Sequence, residues 1–132
     1  MGGSILIIGI GLDIVEIDRI AAAIEKDSFV KRVFTPAEQA YCESLRAGCA
    51  ASFAARFAAK EAFLKALGTG LREGKWIDME VLPDELGAPH LSLSGRFAEM
   101  AEEKGISEIY ISLTHAKKYA AAQVICWGGK KI

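Results

Sequence analysis

The sequence predicts an α+β protein in which helices pack against a mostly antiparallel sheet. Two runs of alternating apolar and polar residues, 108–115 and 119–127, are separated by three residues, which is typical of a β-hairpin. A further strand is expected at residues 5–12, and the helical patterns that follow do not alternate strictly with strands. A chain of 132 residues fits one core, so we expect a single domain over residues 1–132.

The composition is that of an ordinary globular protein, with 52% hydrophobic and 25% charged residues. The 16 basic and 17 acidic residues nearly balance, which argues against a nucleic-acid or membrane-surface binder. The longest apolar run near the start is too short to span a bilayer, and neither a basic segment nor a clean cleavage site marks a secretory signal. The three cysteines lack metal-ligand spacing, so we expect reduced, buried thiols in a cytoplasmic protein.

The N-terminal strand leads into a helix predicted at residues 17–26, where apolar residues recur at helical spacing. Asp13 lies at this junction and, by strand alternation, shares one face with Ile7, Gly9 and Gly11. The two glycines are expected to leave open space for a ligand near its carboxylate. The alternative is that Asp13 only caps the helix, because a Gly-x-Gly pair without a third glycine is weak evidence for a nucleotide site.

The clearest helix start lies at residues 34–45. Thr35 is placed as the N-cap, Pro36 as the first helical residue and Glu38 as the capping-box partner three positions after the cap. The other elements predicted before the hairpin are strands at residues 77–82 and 89–93, joined by a turn at 86–89, and a short helix at 95–104.

A long helix is predicted at residues 51–67, ended by Gly68 in the left-handed conformation. Glu61 and Lys65 are spaced to pair on one flank of this helix, and Lys60 interrupts its apolar stripe. The simpler alternative is a solvated pair with Lys60 extending to water, whereas partly buried charges would need a partner or a bound ion. The stripe consists of Phe53, Phe57, Leu64 and Leu67. The opposite face carries small residues, namely Ala55, Ala59, Ala62 and Ala66. Two such faces predict that the helix is covered on two sides.

Asp13, Glu61 and Lys65 form a set suited to holding Mg²⁺ against a diphosphate, because this metal takes a few carboxylate oxygens and keeps several waters. Such a site would serve phosphoryl transfer. Residues 68–70 could offer backbone amides and a hydroxyl to a phosphate, although a simple helix stop is the commoner role for such a loop. For His115, on the hairpin loop, a ligand-facing role competes with that of an ordinary surface histidine.

Four ordered segments extend these local patterns over most of the chain: GIGLDIVEIDRI, FTPAEQAYCE, FAARFAAKEAFLKALGTG and SLTHAKKYAAAQVI. Together they resemble the holo-[acyl-carrier-protein] synthases, the short single-domain type of 4'-phosphopantetheinyl transferase. The resemblance implies that family's fold. It also implies Mg²⁺-dependent transfer of the 4'-phosphopantetheine group from coenzyme A to a serine of apo acyl carrier protein, with release of adenosine 3',5'-bisphosphate, in fatty acid biosynthesis.

The resemblance, applied motif by motif, makes Asp13 and Glu61 the Mg²⁺ ligands. It gives Lys65 the role of neutralising phosphate charge in the transition state. Glu61 is the candidate general base, directly or through a metal-bound water, and the sequence leaves the identity of the base open. The residues that it assigns to the coenzyme site are Asp13, Lys60, Lys65, Gly68, Thr69, Gly70 and His115.

The resemblance also implies a homotrimer with active sites at subunit boundaries. Arg19 and Arg56 would meet the acidic recognition helix of the carrier protein, although Asp18 stands where the family often has a basic residue and would weaken this patch. Two other functions stay open: a non-catalytic domain that binds acidic helices, and a different Mg²⁺-dependent enzyme acting on a nucleotide diphosphate. The lack of Walker and Rossmann motifs counts against the common folds of the latter.

Overall fold

The computed structural model describes residues 4–130, and within them the chain forms five strands and five α-helices. Single turns of 3₁₀ helix lie at Arg46–Gly48 and Trp76–Asp78. In chain order the elements are β1 (Ser4–Glu16), α1 (Ile17–Ala23), α2 (Asp27–Val33), α3 (Pro36–Ser44), α4 (Cys49–Leu67), β2 (Met79–Pro83), β3 (Pro89–Leu93), α5 (Gly95–Glu103), β4 (Ile106–His115) and β5 (Tyr119–Lys130).

The strands form two sheets, one of three strands in the order β1-β5-β4 and one of two strands, β2-β3. Every pairing in the described region is antiparallel, which confirms the predicted α+β class. The β4–β5 hairpin is closed by a hydrogen bond from the Ala116 amide to the Tyr119 carbonyl, at 2.8 Å. The predicted strand at 89–93 matches β3, and the strand predicted at 77–82 begins two residues later because a 3₁₀ turn precedes it.

Helix α4 is the centre of the molecule, and most of its 19 residues are buried. One side packs on the three-stranded sheet, where Val124 and Cys126 of β5 are fully buried, and the other side contacts α1, α3 and β2. This arrangement confirms the prediction that the helix is covered on two sides. Gly68 ends it with a φ of 82°, the left-handed conformation that glycine adopts without a Cβ penalty.

The capping box of α3 is present as predicted. The Thr35 hydroxyl accepts a hydrogen bond from the Glu38 amide at 3.2 Å, and the Thr35 amide donates to Glu38 Oε1 at 2.9 Å. Both groups are buried, so this helix start is part of the interior rather than of the surface.

The N-terminal strand differs from the prediction in length and in register. It continues to Glu16, so Asp13 pairs with Ala122 inside the sheet and does not lie at the start of α1. An irregularity between Ile7 and Gly9 reverses the alternation, and Ile7 is 58% exposed rather than on the glycine face. Such bulges depend on the partner strand, which the local sequence does not describe.

The face of the three-stranded sheet that points away from α4 carries large apolar side chains in solvent. Ile10, Leu12 and Ile14 of β1 are each more than half exposed, and Tyr110 of β4 is 54% exposed. A patch of this kind on a protein surface commonly marks an interface.

Two further predictions concern membranes and thiols. No helix in the described part of the chain is long and apolar enough to cross a membrane. Cys42, Cys49 and Cys126 are free, and the first and last are buried as expected, whereas Cys49 is only half-buried. Burial raises the pKa of the Cys126 thiol to about 11.

Candidate active site

Two glycines of β1 determine how closely α4 approaches the sheet. A Cβ added at Gly11 would lie 1.7 Å from the Ala62 carbonyl oxygen, and one at Gly9 would lie 2.1 Å from the Ala66 carbonyl oxygen. The expectation that these glycines leave open space for a ligand is therefore wrong, because the backbone of α4 fills it. The close contact instead brings the flank of α4 that carries Glu61 and Lys65 beside Asp13.

Asp13 and Lys65, 52 positions apart in the chain, form an ion pair across this contact. The ammonium of Lys65 donates to Asp13 Oδ1 and to the Leu12 carbonyl, both at 2.9 Å. Among residues 4–130 no ion pair joins Lys65 to Glu61, so the predicted pairing along the helix is wrong. The strand offers the ammonium a carboxylate and a backbone carbonyl together, whereas the helix flank offers a carboxylate alone.

Glu61 lies next to this pair and feels both charges. Burial and the negative charge of Asp13 raise the pKa of the Glu61 carboxyl, and Lys65 opposes the shift. A carboxyl group with a raised pKa beside a second carboxylate is a common feature of functional sites, because the arrangement is unfavourable until a cation or a proton arrives.

A cavity of about 410 Å³ opens beside Glu61 and Lys65. Gly68 and Gly70 of the predicted phosphate loop contribute to its wall. Thr69 does not line the cavity, and its hydroxyl donates to the Gly70 carbonyl at 3.3 Å. The wall consists of Glu61, Leu64, Lys65, Gly68, Gly70, Leu71 and Trp76.

Trp76 and Leu71 belong to this cavity, and the sequence reasoning missed both. The Trp76 ring stacks on Phe57 with 5.3 Å between centroids, which holds the indole at the cavity wall. A large aromatic residue soon after the Gly-Thr-Gly loop was the available signal, but its spacing alone does not show that the chain turns back onto α4.

The donor set fits one Mg²⁺ ion that is shared with a substrate. Among residues 4–130 no group of three or more histidine, cysteine or carboxylate side chains could hold a metal by itself. Mg²⁺ is commonly bound by one or two carboxylates, with substrate phosphates and waters completing its shell. Glu61 supplies one carboxylate from the wall of a cavity that is large enough for a phosphate group, and Asp13, which pairs with Lys65 of the same wall, supplies a second.

Lys60 is not part of this cavity. Its side chain is fully buried, and the ammonium donates to Glu38 Oε1 at 2.6 Å and to the Val33 carbonyl at 2.7 Å. Burial lowers the pKa of Lys60, although the charge of Glu38 opposes the shift. The expectation that Lys60 binds coenzyme phosphates is therefore corrected, because a buried carboxylate already meets its charge.

The two arginines assigned to the carrier protein have different environments. Arg19 is exposed on α1 and lines a cavity of about 430 Å³ with Ile20, Phe29 and Phe57. Arg56 is only 5% exposed, and its Nε donates to the Val81 carbonyl at 2.9 Å. This interior position corrects the expectation that Arg56 offers its charge to a partner surface.

His115 ends β4 and lines another cavity, of about 330 Å³, together with Tyr41 and Arg56. That cavity shares no lining residue with the one beside Glu61. Within a single chain, His115 therefore does not line the cavity beside Glu61.

Comparisons with known sequences place the chain in a superfamily. The sequence profile of the 4'-phosphopantetheinyl transferase superfamily matches residues 9–124. The holo-[acyl-carrier-protein] synthase of Trichlorobacter lovleyi is 49% identical over 123 residues, covering 91% of this chain and 97% of that protein.

Solved structures lead to the same group. The holo-(acyl-carrier-protein) synthase of Bacillus anthracis, in complex with CoA (3',5'-ADP), is 35% identical and superposes with a TM-score of 0.77 over 92% of this chain and 97% of that one. The Helicobacter pylori enzyme, in complex with coenzyme A, is 32% identical with a TM-score of 0.78 over 89% and 98%. The chain belongs to the 4'-phosphopantetheinyl transferase superfamily, as an enzyme of its holo-[acyl-carrier-protein] synthase family.

Proposed function

We propose that the site formed by Asp13, Glu61 and Lys65 transfers the 4'-phosphopantetheine group of coenzyme A to a serine of apo acyl carrier protein. The reaction would require Mg²⁺ and release adenosine 3',5'-bisphosphate. The observation that carries the proposal is the meeting of Asp13 and Lys65 at 2.9 Å beside the cavity that holds Glu61. The coenzyme complexes of the Bacillus anthracis and Helicobacter pylori relatives support the choice of substrate.

Asp13 and Glu61 would hold the metal. When bound, Mg²⁺ would neutralise charge on the diphosphate and stabilise the charge that develops during transfer. The half-exposed ammonium of Lys65 already faces Asp13, so it can donate hydrogen bonds to phosphate oxygens without a large rearrangement.

The transfer forms one bond and breaks one bond. The serine oxygen attacks the phosphorus that carries the pantetheine arm, and the bond from that phosphorus to the bridging oxygen breaks, so the bridging oxygen leaves with the adenosine 3',5'-bisphosphate. Glu61 would take the serine proton, directly or through a water molecule.

The same proposal accounts for two surfaces outside the cavity. Exposed Arg19, beside an apolar cavity, would meet an acidic helix of the carrier protein. The apolar outer face of the sheet would be covered in a homotrimer, and His115 would then reach the coenzyme from a neighbouring subunit. Light scattering that gives the mass of a single chain at working concentration would contradict the trimer.

The test incubates the protein with coenzyme A, Mg²⁺ and an apo carrier protein and weighs the carrier by mass spectrometry. A gain of the phosphopantetheine mass is expected from the wild type and is lost in Asp13→Ala and Glu61→Ala, while circular dichroism shows an intact fold. Glu85→Ala, which removes an exposed carboxylate from the turn between β2 and β3, is the matched control and retains activity. Binding of the carrier without any mass gain would instead identify a non-catalytic docking domain.

A further inference from the structure

The buried pair of Glu38 and Lys60 is unusual because both side chains have no exposed surface. An ion pair of this kind rarely stabilises a fold relative to two apolar side chains of similar size, since both charges lose their hydration. Its place in the core therefore needs a reason other than stability.

The pair joins α4 to three other segments of the chain, namely the end of α2, the start of α3 and strand β2. Lys60 donates to the Val33 carbonyl at the end of α2, and Glu38 accepts from the Thr35 amide at the start of α3. The second oxygen of Glu38 accepts from the Val81 amide of β2 at 2.7 Å. Each of these bonds has a preferred distance and direction, so together they fix Lys60 relative to three backbones.

Apolar packing alone defines the position of α4 less sharply. Its buried surface includes four large apolar side chains, but alanine occupies five other buried positions, and small side chains interlock less with their neighbours than large ones. The alanines are Ala54, Ala55, Ala58, Ala59 and Ala62. Glu61 follows Lys60 directly, about 100° around the helix axis, so an anchor at Lys60 also sets where Glu61 points.

We infer that Glu38, acting through Lys60, is a positioning residue that holds α4 in the register which places Glu61 beside Asp13. This inference rests on the proposed function of the Asp13, Glu61 and Lys65 site. It predicts that the pair can be replaced without loss of the fold but not without loss of the metal site.

The decisive variant is the double replacement Glu38→Leu with Lys60→Met, which removes both charges and nearly keeps the volume. We expect the double variant to stay folded at about 25 °C but to melt below the wild type, because the Thr35 and Val81 amides and the Val33 carbonyl lose their partners. We also expect the dissociation constant for Mn²⁺, measured by electron paramagnetic resonance with coenzyme A present, to rise at least about 10-fold, with a similar loss of kcat/KM. A stable double variant whose Mn²⁺ affinity stays within about two-fold of the wild type overturns the inference.

Two further variants keep the test decisive if the double variant does not fold. Glu38→Asp retains the charge but shortens the side chain, and we expect its Mn²⁺ dissociation constant to rise at least about three-fold; an unchanged constant overturns the inference. Met100→Ala destabilises the core from α5 without touching the pair and is expected to leave Mn²⁺ binding unchanged; an equal loss there also overturns the inference. Failure of the proposed function is recognised separately, as a wild-type protein without transferase activity.

Discussion

Gly11→Ala should disturb the fold and the site together, because this glycine lies where β1 and α4 touch. The added Cβ would be 1.7 Å from the Ala62 carbonyl oxygen, and real Cβ atoms essentially never come within 3.0 Å of another heavy atom. Both partners are regular secondary structure, so neither can rotate a side chain away. Strand and helix must separate by at least about 1.3 Å locally.

The magnitude follows from this displacement. Overpacking costs typically about 1–3 kcal/mol, and a clash with backbone belongs at the upper end of that range. For a chain of 132 residues, about 3 kcal/mol corresponds to a fall in melting temperature of about 12 °C. Because Glu61 precedes Ala62, the same shift moves it away from Asp13, and a displacement of about 1 Å can cost about 100-fold in rate.

Calorimetry and the carrier-modification assay measure the two effects on the same preparation. Gly48→Ala is the matched control, because its Cβ would meet only the Leu45 Cβ at 3.7 Å, an ordinary contact. We expect the control to change the melting temperature by less than about 3 °C and to keep its activity. If Gly11→Ala matches the control in both measurements, the close approach of α4 to β1 is not what forms the site.

Three other predictions test the site, the cap and the thiols. Glu61→Gln should raise the free energy of unfolding at pH 7 by less than about 1 kcal/mol, since solvent screens the half-exposed charge. A carboxyl group whose pKa is raised by folding contributes its full stability below the unfolded pKa of about 4.3 and loses it as the pH rises through the folded pKa. The melting curves of the variant and the wild type should therefore converge in acid. Thr35→Ala should cost about 1–2 kcal/mol in urea unfolding, because it removes the hydroxyl that accepts from the Glu38 amide and donates to Glu80, while Thr35→Ser keeps most of that stability. In the native protein a thiol reagent at pH 7.5 should modify half-buried Cys49 before Cys126, whose pKa of about 11 leaves only about one thiolate in 3,000 molecules; equal rates would contradict the structure.

Local chemistry in the sequence predicted the parts of the fold that depend on neighbours in the chain. The capping box of Thr35 and Glu38 and the left-handed stop at Gly68 involve residues within a few positions of one another, and both are present. The bulge between Ile7 and Gly9 and the extension of β1 to Glu16 were missed, because pairing with β5 determines them. Helix α2 was also missed, since its seven residues are too few for helical periodicity to stand out.

The site was predicted in its composition but not in its pairings. Asp13, Glu61 and Lys65 were selected as a set, and the structure brings them together. Helical spacing nevertheless favoured Glu61 as the partner of Lys65, because an i,i+4 rule considers one helix at a time. The strand provides a carboxylate and a carbonyl to the same ammonium, and this tertiary arrangement replaces the weaker pair.

The two lysines of α4 illustrate why residue type alone does not separate structure from function. Lys60 and Lys65 differ by five positions, or about 140° around the helix, so one faces the core and the other faces the cavity. The partner of Lys60 was hidden because the capping box already explained Glu38, whose carboxylate in fact serves the Thr35 amide, the Val81 amide and Lys60 at once. A carboxylate has two oxygens and about four acceptor sites, so one local bond does not exhaust it. Any buried capping glutamate should therefore be examined for a second, distant partner before an unpaired lysine elsewhere in the chain is assigned to a ligand.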